Sequence, residues 1–546
     1  MRSEVKYILL FVVNLSLFSY NKVFAQIENV PVNNQVYEFL DRMGIKGILP
    51  LYSNTMIPLS RQEIAVLLQT VDEKKYQLNN AEREFLLKFR NEFIHEIDPT
   101  NEDAFVLLRG DSISGIISDK EKYIYAYSDS SLYVVAEFLG KMEHRRSSGE
   151  TYGSVNSTLE EYGGRIRGTI KNKLGFYIQA TNGTLFGSRA LALSDIRLKG
   201  NVKLNDLNSS NFDFTEAYLR ADLGWFNIQF GREYNLIGTG YSDRLLLSNN
   251  APVMDFLKLD FNYKSFRFVF LQGSLVDPYS LWNKYLAMHR AQFSIFNLMN
   301  VGISEMIIYQ RTSPDFAYIN PINFYKSSEH SLRDRDNAFL NFDIEIFPIK
   351  NYKLYGTWLI DDIDFKKMGT GWWGNEFGWQ GGIYITDVAS IPNLDGVLEY
   401  TRIEPYVYSN RLFGNSFSNN RIGLGHHLEP NSDEWFVQMS YRPTKKFRTW
   451  ISYSFTRHGE NVIQDGVIEK NVGGDIMQGH RDYDSEFVRF LDGNLVKNNK
   501  LLLRAIYEPI NNYFLSGIYE FNYSKYSARD VTSRDNIYSL QMRIEF

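Results

Sequence analysis

From about Ser130 onward the chain is a succession of segments with period-2 alternation, joined by connections that are alternately short and long. Leu257, Leu259, Phe261 and Tyr263 alternate with Lys258, Asp260, Asn262 and Lys264; beyond Lys264-Ser265 come Phe266, Phe268 and Phe270 with Arg267 among them. Successive side chains on a strand point to opposite faces, so these are strands of a sheet with one apolar face. Short turns fall at 171–173, 222–224, 264–265, 297–300, 348–351, 390–393, 443–446 and 509–512. Long polar loops fall at 181–213, 232–255, 311–337, 361–375, 404–433, 458–499 and 524–535. A soluble β-sandwich has no reason to sort its connections by length. A barrel spanning an outer membrane does, with short periplasmic turns, long outer loops and an even strand number. The spacing predicts an all-β transmembrane barrel over 130–546 with about 18 antiparallel strands, the first near 132–139 and the last at 538–546.

The final segment reads YSLQMRIEF, with Tyr538, Leu540, Met542, Ile544 and Phe546 on one face. It is expected to pair with the first strand and so remove the sheet edge. Phe546 resembles the C-terminal aromatic signal read by barrel-assembly machinery, which is therefore an expected partner.

Arg2 and Lys6 precede the apolar run YILLFVVNLSLF, and Val23-Phe24-Ala25 precedes Gln26. This is the pattern of a signal peptide over 1–25, implying export. Next comes a helical stretch. Val36, Phe39, Leu40 and Met43 fall at helical spacing, as do Ile64, Leu67, Leu68 and Val71 behind a Ser60/Glu63 capping box, and Phe85, Phe89, Phe93 and Ile97 lie four apart. The expectation is a small N-terminal α-helical periplasmic domain over 26–99, able to dock a periplasmic export partner, then a linker or plug segment over 100–129. Beyond the leader no apolar run approaches the roughly 18 residues of a membrane helix. With no cysteine, disulfide scaffolds and thiolate chemistry are excluded. A net charge of -5 without a basic stripe argues against nucleic acid. The 36 Tyr, 39 Phe and 8 Trp suit the aromatic girdles of a barrel in outer-membrane lipid, so any claim of sugar binding must rest on aromatics in loops.

A set of motifs carries a family resemblance. FGREYNLIGTGYSDRLLLSNNAP (230–252) has a strand ending in Gly-Arg, a Gly-rich loop and a Leu-rich stretch closing on Ser-Asn-Asn-Ala-Pro. KYLAMHR (284–290), GISEMIIY (302–309), YINPINF (318–324), DNAFLNFD (336–343), YTRIEPYVYS (400–409) and GLGHHLEPNSDE (423–434) follow in order, and VPVNNQVYEFLDRMG with PLSRQEIAVLL fits the helical start. The ordered set resembles the Wzi-type capsule assembly family. The resemblance implies an outer-membrane, lectin-like barrel that retains capsular or related polysaccharide at the cell surface, with no catalytic role and no cofactor. Such binding needs exposed aromatic planes beside groups that hydrogen-bond vicinal hydroxyls. DDIDFKKMGTGWWGNEFGW (361–379) has that mixture: Trp372 and Trp373 as platforms, and Asp361, Asp362, Asn375 and Glu376 as hydroxyl partners. The alternative is an interfacial Trp pair with solvated acids. Arg232, Asn249, Asn250, Glu305, Asn320, Asp336 and Asn337 lie in the family-like segments, where a structural polar network in the lumen competes with ligand contact.

Enzymatic readings find less support. None of the eight histidines (His95, His144, His289, His330, His426, His427, His458 and His480) forms an H-x-x-x-H spacing or sits beside a recognisable serine nucleophile. An outer-membrane hydrolase could still assemble its residues from separate loops. RDRDN (333–337) lacks the spaced Asp and Gly of a calcium loop, and no metal site is expected. The stronger rival is a diffusion porin, since a barrel of this size can enclose a channel or be plugged. The expected species is a monomer.

Overall fold

A computed structural model describes residues 26–98, 103–333 and 335–546; the expected signal peptide lies outside the described residues. Eighteen antiparallel strands close into one barrel. They are β1 (Leu132–Gly149), β2 (Val155–Ile170), β3 (Leu174–Gly187), β4 (Asn211–Asp222), β5 (Phe226–Arg232), β6 (Asp255–Tyr263), β7 (Phe266–Leu275), β8 (Asn283–Ile295) and β9 (Met299–Arg311). The remainder are β10 (Asn337–Ile346), β11 (Tyr352–Asp362), β12 (Glu376–Ile385), β13 (Leu394–Ile403), β14 (Ser432–Thr444), β15 (Phe447–Glu460), β16 (Asn494–Ile510), β17 (Tyr513–Tyr526) and β18 (Val531–Glu545). Each pairs with its sequence neighbours, and β18 pairs with β1.

One end carries the turns 171–173, 223–225, 264–265, 296–298, 347–351, 386–393, 445–446 and 511–512. The other carries 150–154, 188–210, 233–254, 276–282, 312–336, 363–375, 404–431, 461–493 and 527–530. All eight expected turns are present. The strands, however, run further into the expected loops: β1 continues to Gly149, β3 to Gly187, and β17 and β18 leave only 527–530 of the segment 524–535. A strand beyond the apolar band keeps its ladder hydrogen bonds whatever its side chains are. Polarity therefore marks where the apolar band ends, not where the strand ends.

The alternation becomes an outside and an inside. Tyr538, Leu540 and Met542 of β18 are exposed on the outer wall, whereas Gln541 and Arg543 face a cavity within the barrel. Phe342, Trp358, Trp379, Trp435 and Ile451 extend the apolar outer surface around the barrel. At the seam, Asp535 to Glu545 pair with Gly149 to Leu139, and Phe546 N–H donates to Phe138 O at 2.8 Å. β1 outruns β18 at the turn end. Its surplus edge is covered by Tyr125–Ser128, which pairs with Ala136 to Tyr133. The stretch expected to be a linker or plug thus also closes an edge that would otherwise be left unpaired.

The helices are α1 (Gln35–Ile45), α2 (Arg61–Glu73), α3 (Asn80–Glu92) and α4 (Ile94–Ile97). The Ser60/Glu63 capping box starts α2, and Asn79 with Glu82 forms a second one on α3. Val36, Leu40, Met43, Ile64, Leu68, Val71, Phe85, Phe89 and Phe93 form one buried cluster, with the helix broken at Phe93 before Ile97. This unit is not a free appendage; it sits against the inner wall at the turn end. Arg42 pairs with Glu82, Asp387 and Asp395. Lys353 Nζ of β11 meets Asp41 at 2.8 Å, and Lys88 Nζ meets Glu508 of β16 at 2.6 Å. Ile27 N–H donates to Thr169 of β2 and Asn29 N–H to Tyr218 of β4. Anchors on so many strands stopper the turn end. Removing one partner of such a buried pair costs about 3–5 kcal/mol.

The loop end is filled differently. Leu245, Leu246 and Leu247 of the loop 233–254, and Tyr408, Phe417 and Leu424 of 404–431, pack on Phe256, Leu271, Met288, Ile308 and Phe339 of the inner wall. The inner face of β6 to β10 is therefore covered by an apolar core.

The outer wall predicts a depth-dependent response. Leu540→Arg should destabilise the barrel in bilayers by about 2–4 kcal/mol, whereas Thr532→Arg, beside the loop 527–530, should cost about 0–1 kcal/mol. Denaturant unfolding in lipid vesicles measures both.

Candidate functional site

The segments that carry the family resemblance meet inside the loop end. Ser248 N–H donates to Leu424 O at 2.8 Å, Asn250 Nδ2 to Gly425 O at 3.0 Å, and Tyr408 Oη to Leu245 O at 2.6 Å. The contact is close. A Cβ on Gly425 would lie 2.6 Å from Leu245 O and 2.7 Å from Tyr408 Oη. Asp243 accepts from Ser248 Oγ, Asn250 Nδ2 and His427 N–H, so one carboxylate ties the two loops together.

His427 lies between two carboxylates, with Nδ1 3.3 Å from Asp243 and Nε2 3.4 Å from Glu434. Burial opposes a charge on His427, but hydrogen bonds to Asp243 and Glu434 outweigh it and raise the pKa. Its neighbour His426 is pushed down to about 4 by burial and by the charge on His427. Asp243, His426 and His427 bring ligating atoms within 4.8 Å of one another. The two imidazoles are nonetheless stacked, with centroids 4.4 Å apart and planes 28° from parallel. A metal in the plane of one ring would lie off the lone pair of the other, so the cluster suits an electrostatic tie between loops better than a metal centre.

The other polar residues of those segments mostly hold loops in place. Glu305 accepts from the N–H groups of Tyr325 and Lys326 at the start of the helix Tyr325–Ser331. Asp336 accepts from Tyr318 Oη and Arg311, and Asn337 donates to Ser409 O and Asn415 O. Asn320 accepts from Ile322 N–H, Arg232 pairs with Asp255, and Asn249 is exposed.

The loop 363–375 docks on 461–493 through Trp373 N–H to Glu486 O and Val488 N–H to Gly371 O. Trp372 and Trp373 are half-buried, 5.5 Å apart, and away from the lipid-facing wall. One face of Trp373 is covered by His480, stacked at 3.9 Å and 6°, and Tyr406 meets its edge. Lys367 Nζ sits 4.0 Å from the Trp372 centroid. Both rings therefore already have protein partners. Asp361 and Glu376 are buried beneath the loop, where Asp361 accepts from Tyr408 N–H at 2.6 Å. Asp362 is exposed, and Asn375 accepts from Asp364 N–H. The more exposed aromatic rings are others: Phe365, Tyr483 and Phe487 on these two loops, and Tyr279 and Trp282 on 276–282, all more than half exposed. Arg481 packs on Tyr483 and Arg421 on Tyr279, placing guanidinium donors beside rings. In the sequence, Tyr483 within RDYDSEF was the available signal, an aromatic set among charges far from any strand.

A family model described as capsule assembly protein Wzi matches residues 146–492. The chain belongs to this family. Among solved structures it is similar to one described as Wzi, an outer membrane protein involved in group 1 capsule assembly in Escherichia coli and a carbohydrate-binding β-barrel. That likeness has 12% identity and a TM-score of 0.58, covering 95% of this chain and 99% of that one. OprD of Pseudomonas aeruginosa (10% identity, TM-score 0.43, 76% and 95% covered) and a BenF-like porin of Pseudomonas fluorescens (8%, 0.44, 76% and 99%) are also similar. No curated protein sequence matches the chain. The family match spans both docked loops, 233–254 and 404–431.

That docking is testable. Gly425→Val should force the loops apart and expose 404–431 to protease added to the purified barrel in detergent, with the barrel still folded by gel mobility. Unchanged protection would mean the contact is dispensable.

Proposed function

We propose that this Wzi-family barrel lies in the outer membrane, with its helical unit on the periplasmic side, and retains capsular or related polysaccharide at the cell surface after export. The family match over 146–492 carries the reading. The apolar outer wall, the long loops gathered at one end and the exposed rings of Phe365, Tyr483 and Phe487 support it. Sugar rings stack on aromatic faces while guanidinium, amide and carboxylate groups take the hydroxyls. Each contact is worth on the order of 1 kcal/mol, but a long polymer touching many copies amplifies such terms by multivalency. The role is attachment, not catalysis. A diffusion porin fits less well, because helices stopper the turn end and apolar loops pack into the lumen against β6 to β10.

Loss of the protein is expected to shift polysaccharide from the cell-bound to the shed fraction while total synthesis is unchanged. Phe365→Ala/Tyr483→Ala/Phe487→Ala should reproduce part of that shift at matched amounts of folded barrel. Trp372→Ala should act less, since its ring is only partly exposed. The measurement is the ratio of bound to released polymer, and an unaltered ratio in the deletion strain would rule out retention. In planar bilayers the purified protein should conduct far less than an open porin.

A further inference from the structure

The large apolar loop core lies on one side of the lumen, and on the opposite side 188–210 reaches β1 and β2 through Asp195 with Arg145 and Arg197 with Glu161. The wall formed by β16, β17, β18, β1 and β2 is crossed at the loop end by 527–530 and 150–154, too short to fold over it. Against this wall lies a cavity of about 390 Å³, within the range of small-molecule sites. Its floor is the helical unit, through Asn34, Gln35 and Lys88. Nine lining residues are Lys or Arg and six are Glu, and Glu96, Glu508 and Glu28 behind the lining pair with Arg61, Lys88 and Arg167.

The least compensated of these cations lie at and beside the seam. Lys141 of β1 and Arg543 of β18 are direct cross-strand partners, and both line the cavity. Like charges placed opposite one another destabilise a sheet. The nearest carboxylates are shared. Glu143 lies 3.1 Å from Lys141 but also accepts from Arg145 at 2.7 Å, Ser539 at 2.7 Å and Gln541 at 3.1 Å. Glu545 lies 3.6 Å from Arg543 and 3.4 Å from Arg165. Arg504 of β16 lines the same cavity and, among the described residues, makes no ion pair; its guanidinium lies 5.7 Å from the Trp450 ring. Lys141 and Arg543 face each other across the seam, Arg504 lines the same cavity within reach of the Arg543 charge, and an anion among them would relieve their repulsion.

We infer that Lys141, Arg504 and Arg543 form a lumenal site for an anionic group, a carboxylate or phosphate carried by a sugar residue or present as a free anion. Guanidinium groups bind such oxyanions through paired, charge-assisted hydrogen bonds. A cleft with low-dielectric walls strengthens that attraction relative to open water. For a sugar-borne group the inference rests on the retention reading; for a free anion it does not.

The test is calorimetric titration of the purified full-length protein, in detergent at low salt, with glucuronate, inorganic phosphate and glucose. Both anions should bind and glucose should not, and raising the salt should weaken binding. Tighter binding of glucuronate than of phosphate would identify a sugar-borne acid, and the reverse a free anion. Arg504→Gln should weaken binding at least tenfold without lowering the Tm, because no ion pair is lost. Lys141→Gln provides a second variant. The inference is overturned if neither anion binds, if glucose binds as well as glucuronate, or if both variants bind like the wild type. Polymer retention by cells is a separate readout: retention without anion binding defeats only this inference, and anion binding without retention defeats only the attachment reading.

Discussion

Pairing of every strand edge is the constraint on which the rest of the structure depends. Backbone amides facing hydrocarbon have no water to bond, so a spanning sheet must close. The seam between β18 and β1 meets that demand, extended at the turn end by Phe546 against Phe138 and by Tyr125–Ser128 against the surplus length of β1. Closure makes the wall a single cooperative surface. Only then does alternation along each strand acquire two fixed meanings, lipid outside and lumen inside.

A closed wall of eighteen strands leaves more interior than its own side chains can fill. Two kinds of filler occupy it. At the turn end the helical unit brings its own apolar core and engages the wall through buried ion pairs such as Arg42 with Asp395 and Lys88 with Glu508. At the loop end the Leu245–Leu247 run and Tyr408 build a core directly on the inward faces of β6 to β10. Burying charge beside charge contributes little net stability, but it fixes where the helices sit, because a displaced helix would leave several ions unpaired. The apolar loop core does the opposite, contributing cohesion with little directional control. The Asp243, His427 and Glu434 chain then supplies direction at that end.

This division also explains the location of exposed chemistry. Loops committed to the core, 233–254 and 404–431, have their polar residues engaged in holding one another. The most exposed rings lie where loops only lean on neighbours, at Phe365, Tyr483 and Phe487. The wall with the shortest loop-end connections keeps its inward charges around a cavity of about 390 Å³. The barrel thus presents an aromatic outer rim and an inner recess rich in Lys and Arg, the recess lying on the wall that the apolar loop core leaves uncovered.

Much of the fold was legible in the sequence because turn length and period-2 alternation are local properties. The barrel, its strand number, all eight turns, the helical stripes and the family motifs follow from neighbours in the chain. Strand ends were less legible, since a ladder continues past the apolar band without changing its side-chain chemistry. The site was less legible again. Trp372 and Trp373 have the right composition for sugar platforms, yet whether a ring face is free depends on His480 and Lys367, one of them more than a hundred residues away. Asp361 and Glu376 read as loop acids, but their depth is set by 404–431 folding over them. The sequence by itself therefore determined that this chain must form a closed sheet with long loops at one end. Which side chains stay uncovered, and where charge accumulates inside, was decided only by the tertiary structure, because exposure and electrostatic potential are sums over residues that become neighbours only when the barrel closes.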